Sequence, residues 1–240
     1  QAKRWFSLGP FIWMVATGSV AWAQTQPGEQ WEWRNPQPPG HSLPGVTWGG
    51  GQFVAVGEGG AILTSSSGAS WRLRTSGTTS YLRGVAWSGG QFIAVGDGGT
   101  VVSSPDGVTW TPQASGTTAR LGDVASSDGL FVAVGASGTI RTSPDGATWT
   151  ARTSSTFRTL ASVIWSGSLF VAVGENGITL TSPDGVTWTA RTTGTTSTLR
   201  GVVWSGDRFV AVGDNGAIRV SEDGTTWTAA NSGTDRKSVV

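Results

Sequence analysis

The chain has 240 residues, of which 37 are glycine, 13% are charged and none is cysteine. Lys and Arg number 16 against 15 Asp and Glu, so no net field draws the protein to nucleic acid or to an anionic membrane surface. Much glycine at low charge points to a turn-rich, all-β protein rather than a helical or a disordered one, and the missing cysteines exclude disulfide staples and a cysteine-borne lipid anchor.

Lys3 and Arg4 precede an apolar run over residues 5–23 that closes on Ala21-Trp22-Ala23. This is the pattern of a secretory signal with a small-x-small cleavage site, and it predicts a secreted or periplasmic protein starting near Gln24. An uncleaved anchor is the alternative, since the run nears spanning length, but Gly9, Pro10 and Gly18 interrupt it. Residues 24–42, with Pro27, Pro36, Pro38 and Pro39, read as a linker around one short strand at 31–34.

From there a 39-residue unit is written five times, opening at Leu43, Leu82, Leu121, Leu160 and Leu199 without an insertion. The copies span 43–81, 82–120, 121–159, 160–198 and 199–234. Such regularity belongs to stacked units that cannot bury their apolar faces alone. In the second copy four strands are predicted, A over 84–87, B over 91–95, C over 100–103 and D over 109–113, joined by glycine-rich hairpin turns. Strand B is apolar at nearly every position, as in Phe92-Ile93-Ala94-Val95 and Phe170-Val171-Ala172-Val173, so both of its faces must be covered. The radially stacked blades of a β-propeller do this. A β-trefoil uses units of similar length but closes after three, and no helix-forming segment suggests a horseshoe.

Tryptophan recurs at the start of strand D (Trp71, Trp110, Trp149, Trp188 and Trp227) and at the end of strand A (Trp48, Trp87, Trp165 and Trp204), with Ser126 replacing it in the third copy. A fixed place in every unit suits packing between blades; a row of rings can also stack on sugars. The run Ser104-Pro105-Asp106-Gly107-Val108-Thr109-Trp110 recurs at 143–149 and 182–188, and more loosely at 221–227. It resembles the Asp-box, or bacterial-neuraminidase repeat, of β-propellers such as sialidases, sortilin-type receptors and photosystem II assembly factors. On this reading Asp106, Asp145, Asp184 and Asp223 cap their own turns, the next glycine takes a left-handed angle, and Trp110, Trp149, Trp188 and Trp227 plug the blade interfaces. Here glycine follows aspartate directly, one residue shorter than the usual sialidase box, and the first copy has Ser67 in place of aspartate. The resemblance implies a fold rather than an activity, because the box is structural in the families that carry it.

Sialidase chemistry needs an arginine cluster, a tyrosine paired with a glutamate, and an acid/base aspartate. The only tyrosine is Tyr81, in a connection between blades. The only histidine, His41, lies outside the repeats, which leaves no Ser-His-Asp triad or histidine-rich metal site. The glycine runs open hairpins rather than helices, so no phosphate loop is present. No catalytic residue, metal or cofactor is therefore expected. In a meander the B–C turns and D–A connections share one end of the blades. That end carries Glu58, Asp97, Glu175 and Asp214, with Ala136 breaking the series, beside Arg83, Arg120, Arg158 and Arg200 and threonine-rich connections. Such a ring suits a polar peptide, a glycan or a cation; alternatively a hairpin turn simply favours an acidic residue before glycine.

The expectation is an exported, non-catalytic propeller that binds a protein or peptide. A glycan-binding lectin and a fragment of a sialidase-like glycoside hydrolase are the alternatives. No nucleic-acid partner is expected, and no stable membrane span after signal cleavage. Residues 235–240 leave the repeat and match one reading frame of a common sequencing adapter, so they read as an artefact or else as a basic tail. Residues 31–34 resemble a D strand standing before the first A strand, while the fifth copy already owns its D strand. With no methionine at Gln1, this predicts a longer parent of six to eight blades. The five copies present either close tightly or leave an open arc.

Overall fold

A computed structural model describes residues 42–127 and 129–231, together with two short strands in the segment before them. That earlier segment, residues 1–34, is a unit of its own, in which Val15–Ala16 pairs antiparallel with Ser19–Val20. The expected strand at 31–34, His41 and the tail from 235 lie outside the described residues. Among the described residues no helix is long and apolar enough to cross a membrane.

The second unit holds five four-stranded antiparallel sheets, each a simple meander in chain order. In blade 1, strands A to D are Gly45–Gly49, Gln52–Val56, Ile62–Ser65 and Arg72–Arg74. In blade 2 they are Leu82–Ser88, Gln91–Gly96, Val101–Ser104 and Thr111–Gln113. Blade 3 has Leu121–Ser127, Leu130–Gly135, Ile140–Ser143 and Thr150–Arg152. Blade 4 has Leu160–Trp165, Phe170–Gly174, Thr179–Ser182 and Thr189–Arg191. Blade 5 has Leu199–Trp204, Phe209–Gly213, Ile218–Ser221 and Thr228–Ala229.

In blade 2 the ends of strands A and B and both ends of strand C are shifted by one residue from expectation, and the starts of strands A and D by two, these last each for a local reason. Strand A of blade 2 starts at Leu82 rather than 84. The Leu82 amide is satisfied across the blade boundary by the Gly57 carbonyl at 3.0 Å, and a bulge between Leu82 and Gly84 keeps the pairing in step. Strand D starts only at Thr111. The amides of Val108 and Thr109 are taken by the Asp106 carboxylate, and the Trp110 indole donates back to the Gly107 carbonyl at 3.0 Å.

Strand B is the middle of every interface. In blade 2, Phe92 and Ala94 face blade 1, where they meet Val54, Val56 and Ile62; Ile93 and Val95 point the other way, into Leu121, Val124 and Phe131 of blade 3. The alternation repeats in blade 4, with Phe170 and Ala172 on blade 3 and Val171 and Val173 on blade 5. A period of two thus puts apolar groups on both sides of one strand, and in blades 2 to 4 every strand-B residue from the phenylalanine onward is buried. Aromatic rings close each interface: Trp87, Phe92 and Trp110 stand in a row with centroids 4.3 and 6.3 Å apart, repeated as Trp165, Phe170 and Trp188 and as Trp204, Phe209 and Trp227. In blade 3, Ser126 occupies the missing tryptophan's position and donates to the Trp87 carbonyl at 3.0 Å.

The innermost A strands pack successively, blade 1 on 2, 2 on 3, 3 on 4 and 4 on 5. Among the described residues no comparable packing joins blade 5 to blade 1, so five blades make four interfaces; the outer face of blade 5 is exposed, while that of blade 1 is exposed at Val46 and Leu73 and closed at Ala55 and Leu63. On blade 1, Val46 is 64% exposed, whereas its counterpart Val85 is 8% exposed. On blade 5, Val212 is 47% exposed, whereas its counterpart Val173 is fully buried. The arc is open.

Two identical truncations test this reading. Val173→Ala should lower stability by about 2 kcal/mol through lost burial and a residual cavity, and Val212→Ala by less than about 0.5 kcal/mol, read as urea unfolding midpoints. Equal losses would mean that blades 5 and 1 close on each other in solution.

Candidate functional site

The end of the arc that carries the B–C turns is built by backbone locking. Each B–C turn is a single 3-10 turn, Asp97–Gly99 in blade 2, and its first amide donates to the connection entering the same blade. The bonds are Asp97 to the Tyr81 carbonyl, Ala136 to Arg120, Glu175 to Thr159 and Asp214 to Thr198, all at 2.8 to 2.9 Å. Two glycines permit the approach. A Cβ on Gly96 would sit 2.2 Å from the Tyr81 carbonyl oxygen, and one on Gly99, whose φ is +71°, would sit 1.9 Å from that of Thr117. The D–A connections are thus pinned from beneath rather than free to swing.

On this platform the acidic ring is largely consumed by its own blades. The Asp97 carboxylate accepts from Arg83 Nε and a second guanidinium nitrogen at 2.5 and 2.9 Å, and Asp214 is held the same way by Arg200. The Arg83 hydrogen bonds hold the Asp97 carboxyl below its ordinary value, and the arginine is raised in return. The Glu175 carboxylate accepts the Thr159 amide at 2.9 Å, a bond that lowers its pKa. Glu58 stands in the corresponding turn of blade 1, Glu58–Gly60, and its amide donates to the Ser42 carbonyl. The four acids therefore sit at one end, as the repeat predicts, yet three act within their own blades. Among the described residues no three His, Asp or Glu side chains gather as a metal-ligand set. Tyr81 lies beneath the Arg83 guanidinium, 4.3 Å from its ring centre, and among the described residues no carboxylate hydrogen-bonds its hydroxyl.

Arg120 and Arg158 are different. Both are exposed, and among the described residues neither is in an ion pair, although both lie close enough to Glu175 to lower its pKa. Next to Arg158 stands Phe157, 94% exposed in the connection from blade 3 to blade 4. Open crevices recur between neighbouring connections. One of about 760 Å³ is lined by Gly77, Thr78, residues 98–102 and residues 112–118; another of about 710 Å³ is lined by residues 58–61 and 73–79. They are wide and of mixed polarity.

The opposite end carries the Ser-Pro-Asp-Gly loops. Asp106 Oδ1 accepts the Val108 and Thr109 amides at 2.8 Å, and the same pair of bonds recurs at Asp145, Asp184 and Asp223. These bonds hold the Asp145 carboxyl down to about 2. Trp110, Trp149, Trp188 and Trp227 are all buried with their indole nitrogens engaged, so they offer no platform for a sugar. In blade 1, Ser67 makes only one weak amide contact, at 3.3 Å.

One group near the axis escapes sequence reasoning. Asp123, on strand A of blade 3, stands where blades 2 and 5 have Gly84 and Gly201, and it bridges to blade 4. Its carboxylate accepts the Val124 amide at 2.8 Å, the Val163 amide at 3.0 Å and the Ser162 hydroxyl at 2.9 Å. Burial between the innermost strands outweighs these three donors and pushes the carboxyl up to about 6. Only an alignment of the repeats against one another flags it, as an acid at a glycine position. Phe157 is found the same way, as an aromatic at a threonine position.

No family model matches the chain, and no curated protein matches it. Solved structures do. A structure of YCF48 bound to D1 peptide superposes with a TM-score of 0.61 at 18% identity, covering 83% of this chain and 69% of that one. YCF48 from Cyanidioschyzon merolae superposes at 0.65 and 17% identity, over 83% of this chain and 75% of that one. A nidogen/laminin complex gives 0.62 at 11% identity, with 77% of each chain covered. At these identities the likeness establishes the architecture, and with the five meanders it defines a β-propeller.

Asp123 yields a pH-dependence with a definite sign. Its folded pKa is raised above the unfolded value of 3.8, so the folded state holds the proton more tightly. The carboxyl's favourable contribution is complete below about pH 4 and is lost as pH rises through about 6, by at most about 3 kcal/mol given the residue's partial exposure. The loop aspartates, whose folded pKa values are lowered, add stability that is still rising just above pH 4, but this is the same in wild type and variant and cancels in their difference. Stability of the wild type relative to Asp123→Ser, the residue found at the matching position of blade 4, should therefore fall between pH 4 and pH 7. A flat or rising difference would contradict the burial argument.

Proposed function

We propose that this protein is an exported, non-catalytic propeller that binds a protein or peptide segment on the end bearing the B–C turns and D–A connections. The observation that carries the proposal is a division of labour between the two ends. At the Ser-Pro-Asp-Gly end the polar side chains close their own turns. At the other end Arg120, Arg158 and the open crevices remain on backbone that hydrogen bonds have already fixed. Groups held on a rigid frame lose little freedom on binding, which is how loop-bearing scaffolds gain affinity. Support also comes from the solved propeller that carries a peptide. The lectin reading is weakened by the burial of Trp110, Trp149, Trp188 and Trp227, and it keeps the repeated crevices and the exposed Trp48 in its favour.

The probe is a library of random 12-residue peptides displayed on phage and selected on the immobilised protein. Peptides should be enriched that compete with one another, and Arg120→Glu should weaken them about tenfold or more at low salt. Val108→Ser, at the opposite end, should leave them unchanged. A library that returns no binder while a glycan array returns several would overturn the reading in favour of a lectin. Export rests on the sequence of residues 1–23. Fused ahead of a leaderless alkaline phosphatase in a bacterial host, these residues should restore periplasmic activity, and an inactive fusion retained in the cytoplasm would remove that part of the proposal.

A further inference from the structure

We infer that the connection between blades 3 and 4 is the partner-anchoring element of this face, with Phe157 as its apolar contact, and that it takes an acidic segment carrying a large apolar side chain. The inference deepens the binding function proposed above and rests on it.

The repeat supplies its own control. The other D–A connections read Ser76-Gly77-Thr78-Thr79-Ser80, Ser115-Gly116-Thr117-Thr118-Ala119 and Thr193-Gly194-Thr195-Thr196-Ser197, whereas this one reads Ser154-Ser155-Thr156-Phe157-Arg158. Its backbone nevertheless keeps the common form. In the first connection Ser76 donates to the Thr78 carbonyl at 3.0 Å and the Ser80 amide donates to Thr78 Oγ1 at 3.0 Å; here Ser154 donates to the Thr156 carbonyl at 3.2 Å and the Arg158 amide to Thr156 Oγ1 at 3.1 Å. Gly138, beneath it, is pressed against the Thr156 carbonyl just as Gly99 is against Thr117. The loop is therefore a fixed template on which three side chains, Ser155, Phe157 and Arg158, have been changed.

Two of the changes, Ser155 and Phe157, work against the isolated molecule. Ser155 keeps a left-handed φ of +56° where the other three connections use glycine, a conformation that non-glycine residues rarely adopt. Phe157 holds a large ring in water where its neighbours hold threonine, and nothing among the described residues covers it. An isolated aromatic raised on a rigid loop is the form that interface anchors take.

The charge around it selects the partner. Arg158 adjoins the ring in sequence, and the exposed Arg120 shares the field around Glu175. The carboxylates of this end are engaged elsewhere, Asp97 by Arg83, Asp214 by Arg200 and Glu175 by the Thr159 amide. Glu175 keeps its negative charge, so what meets an incoming chain beside the apolar ring is two guanidinium groups against one carboxylate, a net positive charge. An acidic segment that also brings an apolar side chain satisfies both, whereas a basic one meets two unpaired guanidinium groups.

The test restores the common loop. The triple variant Ser155→Gly, Phe157→Thr and Arg158→Ser should fold at least as well as the wild type, with an equal or higher Tm, because it takes the sequence the same backbone already carries in other blades. From the 12-residue phage library, the wild type should select peptides with Asp or Glu close to Leu, Phe or Trp. Those peptides should bind the triple variant at least tenfold more weakly by fluorescence anisotropy, and Phe157→Thr alone should account for much of the loss. Peptides that bind wild type and triple variant within twofold, or a selected set rich in Lys and Arg, would overturn the inference while leaving a peptide-binding propeller intact. A wild type that selects no peptide would instead remove the binding function on which the inference stands.

Discussion

The structure depends on one contact, the packing of each strand B between the sheets before and after it. A four-stranded meander of 39 residues has too little interior to stand alone. Here the interior is made between units: Phe92 and Ala94 are buried by blade 1, Ile93 and Val95 by blade 3, and the same division runs through Phe170 to Val173. Stability of this kind is a sum over neighbours, so the blades in the middle are held twice and the blades at the ends once.

The ends of the strands follow from that contact. With the sheet faces occupied, hydrogen bonding and charge are confined to the two rims, and the rims have separate tasks. One closes its turns through Asp106, Asp145, Asp184 and Asp223 and seats the tryptophans. The other pins each connection to the turn beside it through Asp97, Ala136, Glu175 and Asp214 amides, which leaves the connection side chains free to vary. Variation at the second rim costs the core nothing, and it is there that Ser155, Phe157 and Arg158 depart from the pattern.

The fold was legible in the sequence because its cause is periodic. The spacing of the leucines, the doubly apolar strand B and the recurrent Pro-Asp-Gly turns all report interactions made once per blade, and averaging over five copies sharpens them. Boundaries were less legible. That Trp110 precedes strand D depends on which amides the Asp106 carboxylate takes, a matter of turn geometry rather than of periodicity. The acidic turns were found in the right place, but sequence could not say that Arg83 and Arg200 lie across a bulge within reach of Asp97 and Asp214. Asp123 and Phe157 were missed for the opposite reason: each occurs once, and a consensus taken across the repeats removes them. The informative comparison is each copy against the rest.

The central claim, that neighbouring blades bury one another and the arc is open between its ends, is tested most directly by native-state amide hydrogen exchange. Strand-B amides of blades 2 to 4 should be the most protected, with strand A of blade 1 and strands B and C of blade 5 exchanging markedly faster because one face of each is uncovered. Protection that is uniform from blade 1 to blade 5 would contradict it.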